Sequence, residues 1–242
     1  MFEPPFVAAD RYEAQLAALG HAVVSASTVQ RSFGAAATDL TALAGYWNDL
    51  PADAYLKDGG RYRFRRHGSF VAENSGLRQA PHRAHWQPLD YNALHGGIER
   101  MFEPVAPAAV ANPAWGRLLL GLAGVASRLK GEQPWFIEAH QFRIDTATGI
   151  GRPTPEGAHR DGVDLVAVFL VARHCVKGGE SRVFESQGPS GQRFTLREPW
   201  TLLLLDDERV IHETTPIQPE GNAAGHRDTL VVTLRGGGFQ NP

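Results

Sequence analysis

Residues 164–172 read DLVAVFLVA, an apolar run that is hydrophobic at both its even-numbered and its odd-numbered positions. Successive side chains of a β-strand point to opposite faces of the sheet, so a segment that is apolar at both parities is expected to be buried on both faces. The run therefore predicts a central strand.

Six further short runs accompany it, all rich in β-branched or aromatic residues and separated by Gly, Pro and Asp. They are PWFIEAHQFRID (134–145), GESRVFES (179–186), QRFTL (192–196), WTLLLLDD (200–207), VIHETTPI (210–217) and DTLVVTLR (228–235). Short strands with regular turn signals are typical of an antiparallel sandwich or barrel.

The first third of the chain is helical and mixed. Asp10 is expected to cap a helix that stops at Gly20, and HAVVSAST (21–28) predicts a short strand. A second helix is expected from near Ser32 to Pro51, and a third over residues 113–131. We therefore predict an α+β, mainly β fold within a single domain, 1–242. Its N-terminal part, 1–130, is helical and mixed, and 131–242 is the β core that carries the candidate site.

Composition excludes few classes of protein but disfavours two kinds of partner. The 242 residues carry a formal net charge of −2, which gives no overall basic field to attract nucleic acid or membrane lipid. The longest apolar stretch, LLLGLAGVA from Leu118, is far shorter than the ~18–20 residues of a membrane span. The N-terminus lacks the pattern of a signal peptide, and the lone Cys175 cannot form an intramolecular disulfide. A cytoplasmic location is expected.

The candidate metal ligands form an H-x-D motif followed by a more distant histidine. His159 and Asp161 are two residues apart, so on extended backbone their side chains point the same way, and His212 follows in VIHETTPI. Two histidines and one carboxylate are the facial triad of non-haem iron(II) oxygenases, which leaves coordination positions open for a 2-oxo acid and dioxygen. A histidine beside a turn aspartate is also common in structural roles, so H-x-D alone leaves both interpretations open.

Arg227 and Thr229 are likewise two residues apart in the last predicted strand, opposite Leu230 and its apolar neighbours. An arginine inside a β-sandwich needs an anionic partner, because an unpaired buried charge is costly. The far carboxylate of 2-oxoglutarate would provide one. A solvent-facing strand arginine is the alternative, and Arg235 is the fallback if the preceding loop shifts the register.

Two other sets of polar residues each have two possible roles. Gln141 and Arg143 lie two apart in HQFRI, where a strand would aim both at the same cavity for co-substrate or substrate binding, or where they make structural hydrogen bonds. Arg61, Tyr62 and Arg63 form a basic aromatic patch. Such a patch is typical of a solvated strand edge, although it could also cover an active-site mouth and bind a substrate carboxylate.

Together these motifs resemble the 2-oxoglutarate/Fe(II)-dependent dioxygenase superfamily. The helical first third and the segments HQFRI, HRDG, GGES and IHETTPI also resemble the bacterial free L-amino-acid hydroxylases, the isoleucine dioxygenase-like branch. The resemblance is strongest over residues 134–235. It implies a double-stranded β-helix (jelly-roll, cupin-like) core, Fe(II) at His159, Asp161 and His212, and the 2-oxoglutarate carboxylate at Arg227 with Thr229. Dioxygen is then the oxidant, and ascorbate the expected reductant.

The expected function is hydroxylation of a free L-amino acid or a similar small polar molecule, with release of succinate and CO2. Two alternatives remain open. One is a zinc-dependent hydrolase that uses Asp164 or Glu213 as its base. The other is a non-catalytic small-molecule-binding or sensing module on the same frame. The particular substrate, the carbon oxidised and the oligomeric state do not follow from the sequence.

Overall fold

The computed structural model describes residues 2–91, 94 and 96–242. Its helices are α1 Tyr12–Leu19, α2 Ala26–Phe33, α3 Ala37–Ala44, a 3-10 turn Gly45–Trp47, α4 Pro107–Val110 and α5 Pro113–Lys130. Its strands are β1 His21–Val24, β2 Arg63–Glu73, β3 Gly76–Gln79, β4 Trp135–Asp145, β5 Leu165–His174, β6 Val176–Gly178, β7 Ser181–Glu185, β8 Gly191–Phe194, β9 Leu202–Asp206, β10 Val210–Thr214, β11 Ile217–Pro219 and β12 His226–Arg235.

Most strands belong to one large sheet of seven, in the order β1-β9-β5-β12-β4-β2-β3. A three-stranded sheet, β10-β7-β8, and a two-stranded sheet, β11-β6, complete the β structure of the described residues. The paired strands run antiparallel. β5 lies between β9 and β12, so the prediction that residues 164–172 form a central strand is confirmed, as is the mainly β, antiparallel class.

Burial of β5 on both faces shows how the layers are arranged. Leu165 and Phe169 belong to the main hydrophobic core, which they share with Leu118 and Leu122 of α5. Val166 points the other way, into a second core that includes residues of β7, β8 and β10. The large sheet therefore carries helices on one face and the three-stranded sheet on the other, and the apolar pattern of β5 follows from this position.

The predicted ends of two helices can be compared directly with the structure. α5 is confirmed: the Asn112 side chain accepts a hydrogen bond from the Ala114 N–H at 2.9 Å, and Gly131 follows the last residue. α1 ends at Gly20, whose φ of 76° is easily adopted only by glycine. The residue before α1 is Arg11, which makes no side-chain cap, so the prediction that Asp10 caps this helix is wrong.

The expected strand over residues 21–28 is confirmed only as far as Val24, and the single helix expected from Ser32 to Pro51 is wrong. The strand stops at Val24 because the Ser25 hydroxyl caps α2, accepting from the Thr28 N–H at 3.3 Å. Gly34, with φ of 65°, then ends α2, and a separate helix α3 begins three residues later. The local helical pattern was continuous enough to hide this break.

The first 130 residues contribute more β structure than expected. β1, β2 and β3 all join the large sheet, and β2 pairs antiparallel with β4 over ten registered positions from Arg63 to Ala72. Arg63 is only 6% exposed, so this part of the basic patch is not a solvated strand edge. Within the described residues, no helix is long and apolar enough to cross a bilayer.

The Trp47 indole fixes the 3-10 turn to the centre of the sheet. Its Nε1–H donates to the carbonyl oxygens of Phe142 on β4 and Thr229 on β12, at 3.2 and 3.1 Å. We expect Trp47→Phe to lower the free energy of unfolding by about 2 kcal/mol beyond the packing loss, because both buried contacts disappear. Urea denaturation measures the change.

Trp115→Phe is the matched control for this experiment. Trp115 is as fully buried as Trp47, but its indole N–H has no hydrogen-bond partner among the described residues. Trp115→Phe should therefore lower the free energy of unfolding only through the loss of packing. Equal destabilisation of the two variants would show that the Trp47 hydrogen bonds contribute nothing.

Candidate functional site

A pocket lies between the large sheet and the three-stranded sheet, and alternate residues of the strands form its floor. β12 contributes Arg227, Thr229, Val231 and Thr233. β4 contributes Glu138, His140, Phe142 and Ile144. The cross-strand register pairs Arg227 with Ile144 and Thr229 with Phe142, so the side chains line up in rows across the sheet.

Three of the predicted site residues meet at one side of this pocket. His159 and His212 form an isolated antiparallel bridge, exchanging backbone hydrogen bonds of 3.0 and 2.9 Å, and their ring centroids lie 4.7 Å apart. The Asp161 carboxylate lies 3.9 Å from Nε2 of His159 and 3.7 Å from Nε2 of His212. One nitrogen or oxygen atom from each residue falls within 4.8 Å of the others, close enough for a shared metal ion.

A hydrogen bond orients the His159 imidazole, and burial and neighbouring charges set the protonation of both rings. Nδ1 of His159 lies 2.9 Å from the Gly157 carbonyl oxygen, so it carries the proton and donates, and Nε2 is the nitrogen that faces Asp161. Burial and the neighbouring His159 hold the pKa of His212 well below its ordinary value, so this ring is neutral. Burial also lowers the pKa of His159, but the carboxylates of Asp161 and Glu156 outweigh it and the net shift is upward.

Side-chain hydrogen bonds hold both the carboxylate and the backbone of Asp161. The Gln87 side-chain amide donates to Asp161 Oδ1 at 3.0 Å. On the backbone, the Asp207 carboxylate accepts hydrogen bonds from the N–H groups of Asp161, Gly162 and Val163 at 2.7–3.1 Å. Burial and the Asp161 carboxylate raise the pKa of Asp207. The turn after H-x-D is thus built around a second carboxylate.

Arg227 is buried in the pocket floor without a partner. It is 3% exposed, and its Nε and Nη2 atoms have no hydrogen-bond acceptor among the described residues. Burial and the cross-strand neighbour Arg173 lower the pKa of Arg227 to about 10, so it remains a cation at neutral pH. Thr229 lies on the same face, whereas Arg235 does not line the pocket and donates to the Gly238 carbonyl.

Gln141 and Arg143 do not fit the co-substrate role expected for them. They occupy the alternate positions of β4, so their side chains point to the sheet face opposite the pocket. Arg143 pairs there with Asp228 through two hydrogen bonds of 2.8 and 2.7 Å, and Gln141 is fully buried. The strand predicted over residues 134–145 is confirmed, but its other face meets the pocket.

The structure adds pocket residues that the sequence reasoning missed. Arg65 lies on β2, which the sequence analysis does not predict as a strand, and His140 lies on the face of β4 opposite Gln141. Gln87, Arg100 and Glu156 lie outside the long strands and reach the pocket from connecting segments. No local pattern marks their positions.

Comparison with known proteins identifies the class. A family model described as 2OG-Fe dioxygenase matches residues 44–233, and the chain belongs to this family. Over 157 residues the chain is 25% identical to an L-isoleucine-4-hydroxylase of Bacillus thuringiensis. That alignment covers 62% of this chain and 64% of the relative, so it spans less than two thirds of the relative's length.

Solved structures extend the similarity to the whole fold. A BsmA homologue from Methylobium petroleophilum is 49% identical, with a TM-score of 0.93 over 99% of this chain and 98% of that one. The structure of IDO from Bacillus thuringiensis is 18% identical, with a TM-score of 0.77 over 98% of this chain and 100% of that one. At the latter identity the likeness concerns the fold alone.

The contacts of Asp207 give a test of how the H-x-D segment is held. We expect Asp207→Ala to lower the free energy of unfolding by about 3 kcal/mol, because three backbone N–H groups lose their carboxylate acceptor. Amide hydrogen exchange of Asp161, Gly162 and Val163 should accelerate, which NMR or mass spectrometry measures.

Glu208→Ala is the control, since Glu208 is the next residue along the chain and its exposed carboxylate pairs with Lys130. That change should cost less than about 1 kcal/mol. Unaltered exchange of the three amides in Asp207→Ala would contradict the role given to Asp207.

Proposed function

We propose that this protein is an Fe(II)- and 2-oxoglutarate-dependent hydroxylase of a free L-amino acid or a similar small polar molecule, built on a jelly-roll (double-stranded β-helix) core. The main observation behind the proposal is the set of residues that line one pocket. A His-Asp-His set lines the same cavity as buried Arg227, whose Nε and Nη2 have no hydrogen-bond partner among the described residues. Family membership agrees with this reading.

The residues present fit an iron(II) ion. His159, Asp161 and His212 would hold it, as two nitrogen donors and one carboxylate, the donor set of the facial triad. The His159 Nδ1–H bond to a backbone carbonyl is the kind of outer contact that fixes a metal-binding imidazole. Iron, when bound with 2-oxoglutarate and dioxygen, supplies the chemistry that hydroxylates a carbon–hydrogen bond and releases succinate and CO2.

The chain's own residues would bind and orient the co-substrate. Arg227 offers two unpartnered N–H groups to the far carboxylate of 2-oxoglutarate, and such a charge-assisted pair is strong because the site is buried. Thr229 supports it with a hydroxyl on the same face. Val168 and Val231, on adjacent strands of the pocket floor, keep the site partly apolar and limit access of water.

Two features support a small substrate. The cavity has a volume of about 130 Å³, which suits small molecules rather than a segment of polymer. The Bacillus thuringiensis relative, which aligns over 157 residues, is named an L-isoleucine-4-hydroxylase, and this favours a free amino acid as the substrate here. Ascorbate as the reductant is part of the proposal.

The alternative of a zinc hydrolase finds less support. Asp164 and Glu213, its candidate bases, do not line the pocket. Asp164 accepts a hydrogen bond from the Gly236 N–H, and Glu213 pairs with Arg182. A zinc hydrolase would also use no 2-oxoglutarate, so its reaction would supply no carboxylate to pair with the buried Arg227.

The metal assignment is tested at Asp161. Wild-type protein with iron(II) and ascorbate is expected to convert 2-oxoglutarate to succinate, and EDTA to stop it. Asp161→Ala should lose this turnover and most bound iron, because two neutral imidazoles alone hold a dication weakly. Its metal-free form should melt at or slightly above the wild-type temperature, since Asp161 lines a cavity and little packing is lost.

Metal content by plasma mass spectrometry, thermal melting and succinate release are the measurements. Glu213→Ala is the control: it removes the carboxylate next to His212 that faces away from the pocket, and turnover should persist. Near wild-type turnover in Asp161→Ala would remove the main support for the triad.

The co-substrate assignment is tested at Arg227. Arg227→Leu should raise the KM for 2-oxoglutarate by roughly tenfold or more while iron binding stays nearly intact, because a buried bidentate charge pair is lost. Arg227→Lys should be intermediate, since an ammonium group lacks the planar fork. Arg235→Leu, at the end of the same strand, is the control, and a loss of affinity in that variant alone would reverse the assignment.

A further inference from the structure

A second group of arginines lines the pocket on the side away from Arg227. Arg63 and Arg65 come from β2, and Arg100 comes from the segment between β3 and α4. We refer to these three residues as the arginine cluster. All are buried, with exposures of 6%, 4% and 2%.

Each member of the arginine cluster has a buried N–H group without an acceptor. The unpartnered atoms are Nη2 of Arg63, Nε of Arg65 and Nε of Arg100, counted over the part of the chain that the structure describes. A buried polar group left without a hydrogen bond costs free energy, and more so when it is charged. Three such donors on one wall of a cavity indicate a ligand that supplies acceptors.

The carboxylates nearby do not neutralise the arginine cluster. Asp53 binds Arg63 at 2.7 Å and lies 3.8 Å from Arg65. Arg100 forms no ion pair with any described carboxylate, and its Nη2 donates to the neutral Gln87 side chain at 2.9 Å. Burial and repulsion from Arg63 lower the pKa of Arg100 to about 10. Positive charge is therefore in excess, and an anion would relieve it.

The histidines beside the arginine cluster do not form a comparable binding site for a metal cation. His67, His85, Glu138 and His140 place possible ligand atoms within 4.8 Å of one another. However, the Glu138 carboxylate already accepts hydrogen bonds from His67, His85 and Arg83. His140 Nδ1 accepts a bond of 2.6 Å from Arg65. These lone pairs are used, and the surrounding guanidinium groups repel a metal ion.

The arginine cluster is separate from the position proposed for 2-oxoglutarate. Ile144 of β4 has Arg63 as its partner on one side and Arg227 on the other, so the two arginines are two interstrand spacings apart, about 10 Å. One small dicarboxylate anchored at Arg227 would leave the cluster unpaired. Arg65 is also fixed in place, 3.6 Å from the ring centre of Phe102.

A complementary acceptor lies on the same cavity. Glu156 lines the pocket, its Oε2 is buried without a partner among the described residues, and its Oε1 is 3.7 Å from Nε2 of His159. An unpaired carboxylate oxygen favours a ligand that donates hydrogen bonds. The pocket therefore presents donors on one wall and an acceptor near the metal-site histidines, the pattern that a zwitterion satisfies.

We infer that Arg65 and Arg100, with Arg63 beside them, bind the carboxylate of the substrate. Glu156 accepts a hydrogen bond from the ammonium group of the same molecule, so the substrate is an α-amino acid with both charged groups free. This inference rests on the proposed function, whose site it extends to the substrate. It also gives Gln87 a place between the two halves, because this amide contacts both Arg100 and Asp161.

The first test uses wild-type protein loaded anaerobically with iron(II) and 2-oxoglutarate, so that binding is measured without turnover. The twenty proteinogenic L-amino acids are screened by saturation-transfer NMR, and the affinity of the best is measured by calorimetry. Its amide, which lacks the carboxylate, and its deamino acid, which lacks the ammonium group, should each bind roughly tenfold or more weakly. Failure of all twenty to bind, or an amide that binds as well as the acid, would overturn the subsite.

The second test changes the subsite itself. Arg100→Gln should weaken binding of the amino acid by roughly tenfold or more and reduce the preference for the acid over its amide. Arg100→Lys should retain part of both. Arg66→Gln is the matched control: Arg66 is the β2 neighbour of Arg65, faces away from the pocket and bonds two backbone carbonyls. Wild-type affinity and selectivity in a folded Arg100→Gln protein would overturn the inference.

Failure of the two proposals can be told apart. Succinate release in air reports on the proposed function, whereas the anaerobic binding selectivity reports on the arginine cluster. Selective binding without succinate release contradicts the proposed reaction and leaves the subsite standing. Succinate release with binding that ignores the carboxylate contradicts the subsite alone. If Arg100→Gln does not fold, the comparison of acid, amide and deamino acid on wild-type protein still decides the matter.

Discussion

The antiparallel register of β2, β4, β12 and β5 is the constraint on which the site depends. Because side chains alternate along each strand, one set of positions faces the three-stranded sheet and the other faces the helices. On β12 the first set includes Arg227 and Thr229, and the second includes Leu230 and Val232, which pack in the main core. A slip of one residue would exchange the two sets, so that Arg227 would face the helices and Leu230 would face the cavity.

This register gathers an unusual amount of buried charge in one cavity. Arg227 lies two strands away from Arg63. Each of these arginines has at least one buried N–H group without a hydrogen-bond acceptor among the described residues. Such groups lower the stability of the free protein. In the function proposed above, the same groups bind carboxylates, and the free energy lost in folding then contributes to binding and specificity.

Segments outside the long strands complete the site and are tied to it by hydrogen bonds. Asp207, which follows β9, holds the backbone of the turn that presents Asp161. Gln87 joins the Asp161 carboxylate to Arg100. The proposed metal site and the proposed substrate subsite therefore share a side chain.

The sequence by itself determined the features that depend on local spacing. The doubly apolar run of β5 identified a central strand, and the i, i+2 spacings of His159 with Asp161 and of Arg227 with Thr229 placed each pair on one face. Tertiary structure decided which face of β4 meets the cavity, and it selected His140 rather than Gln141. It also brought Arg100 beside β2. The alternation of side chains is a local property of the backbone, but the layer that each face meets is set by strand pairings between residues far apart in the chain.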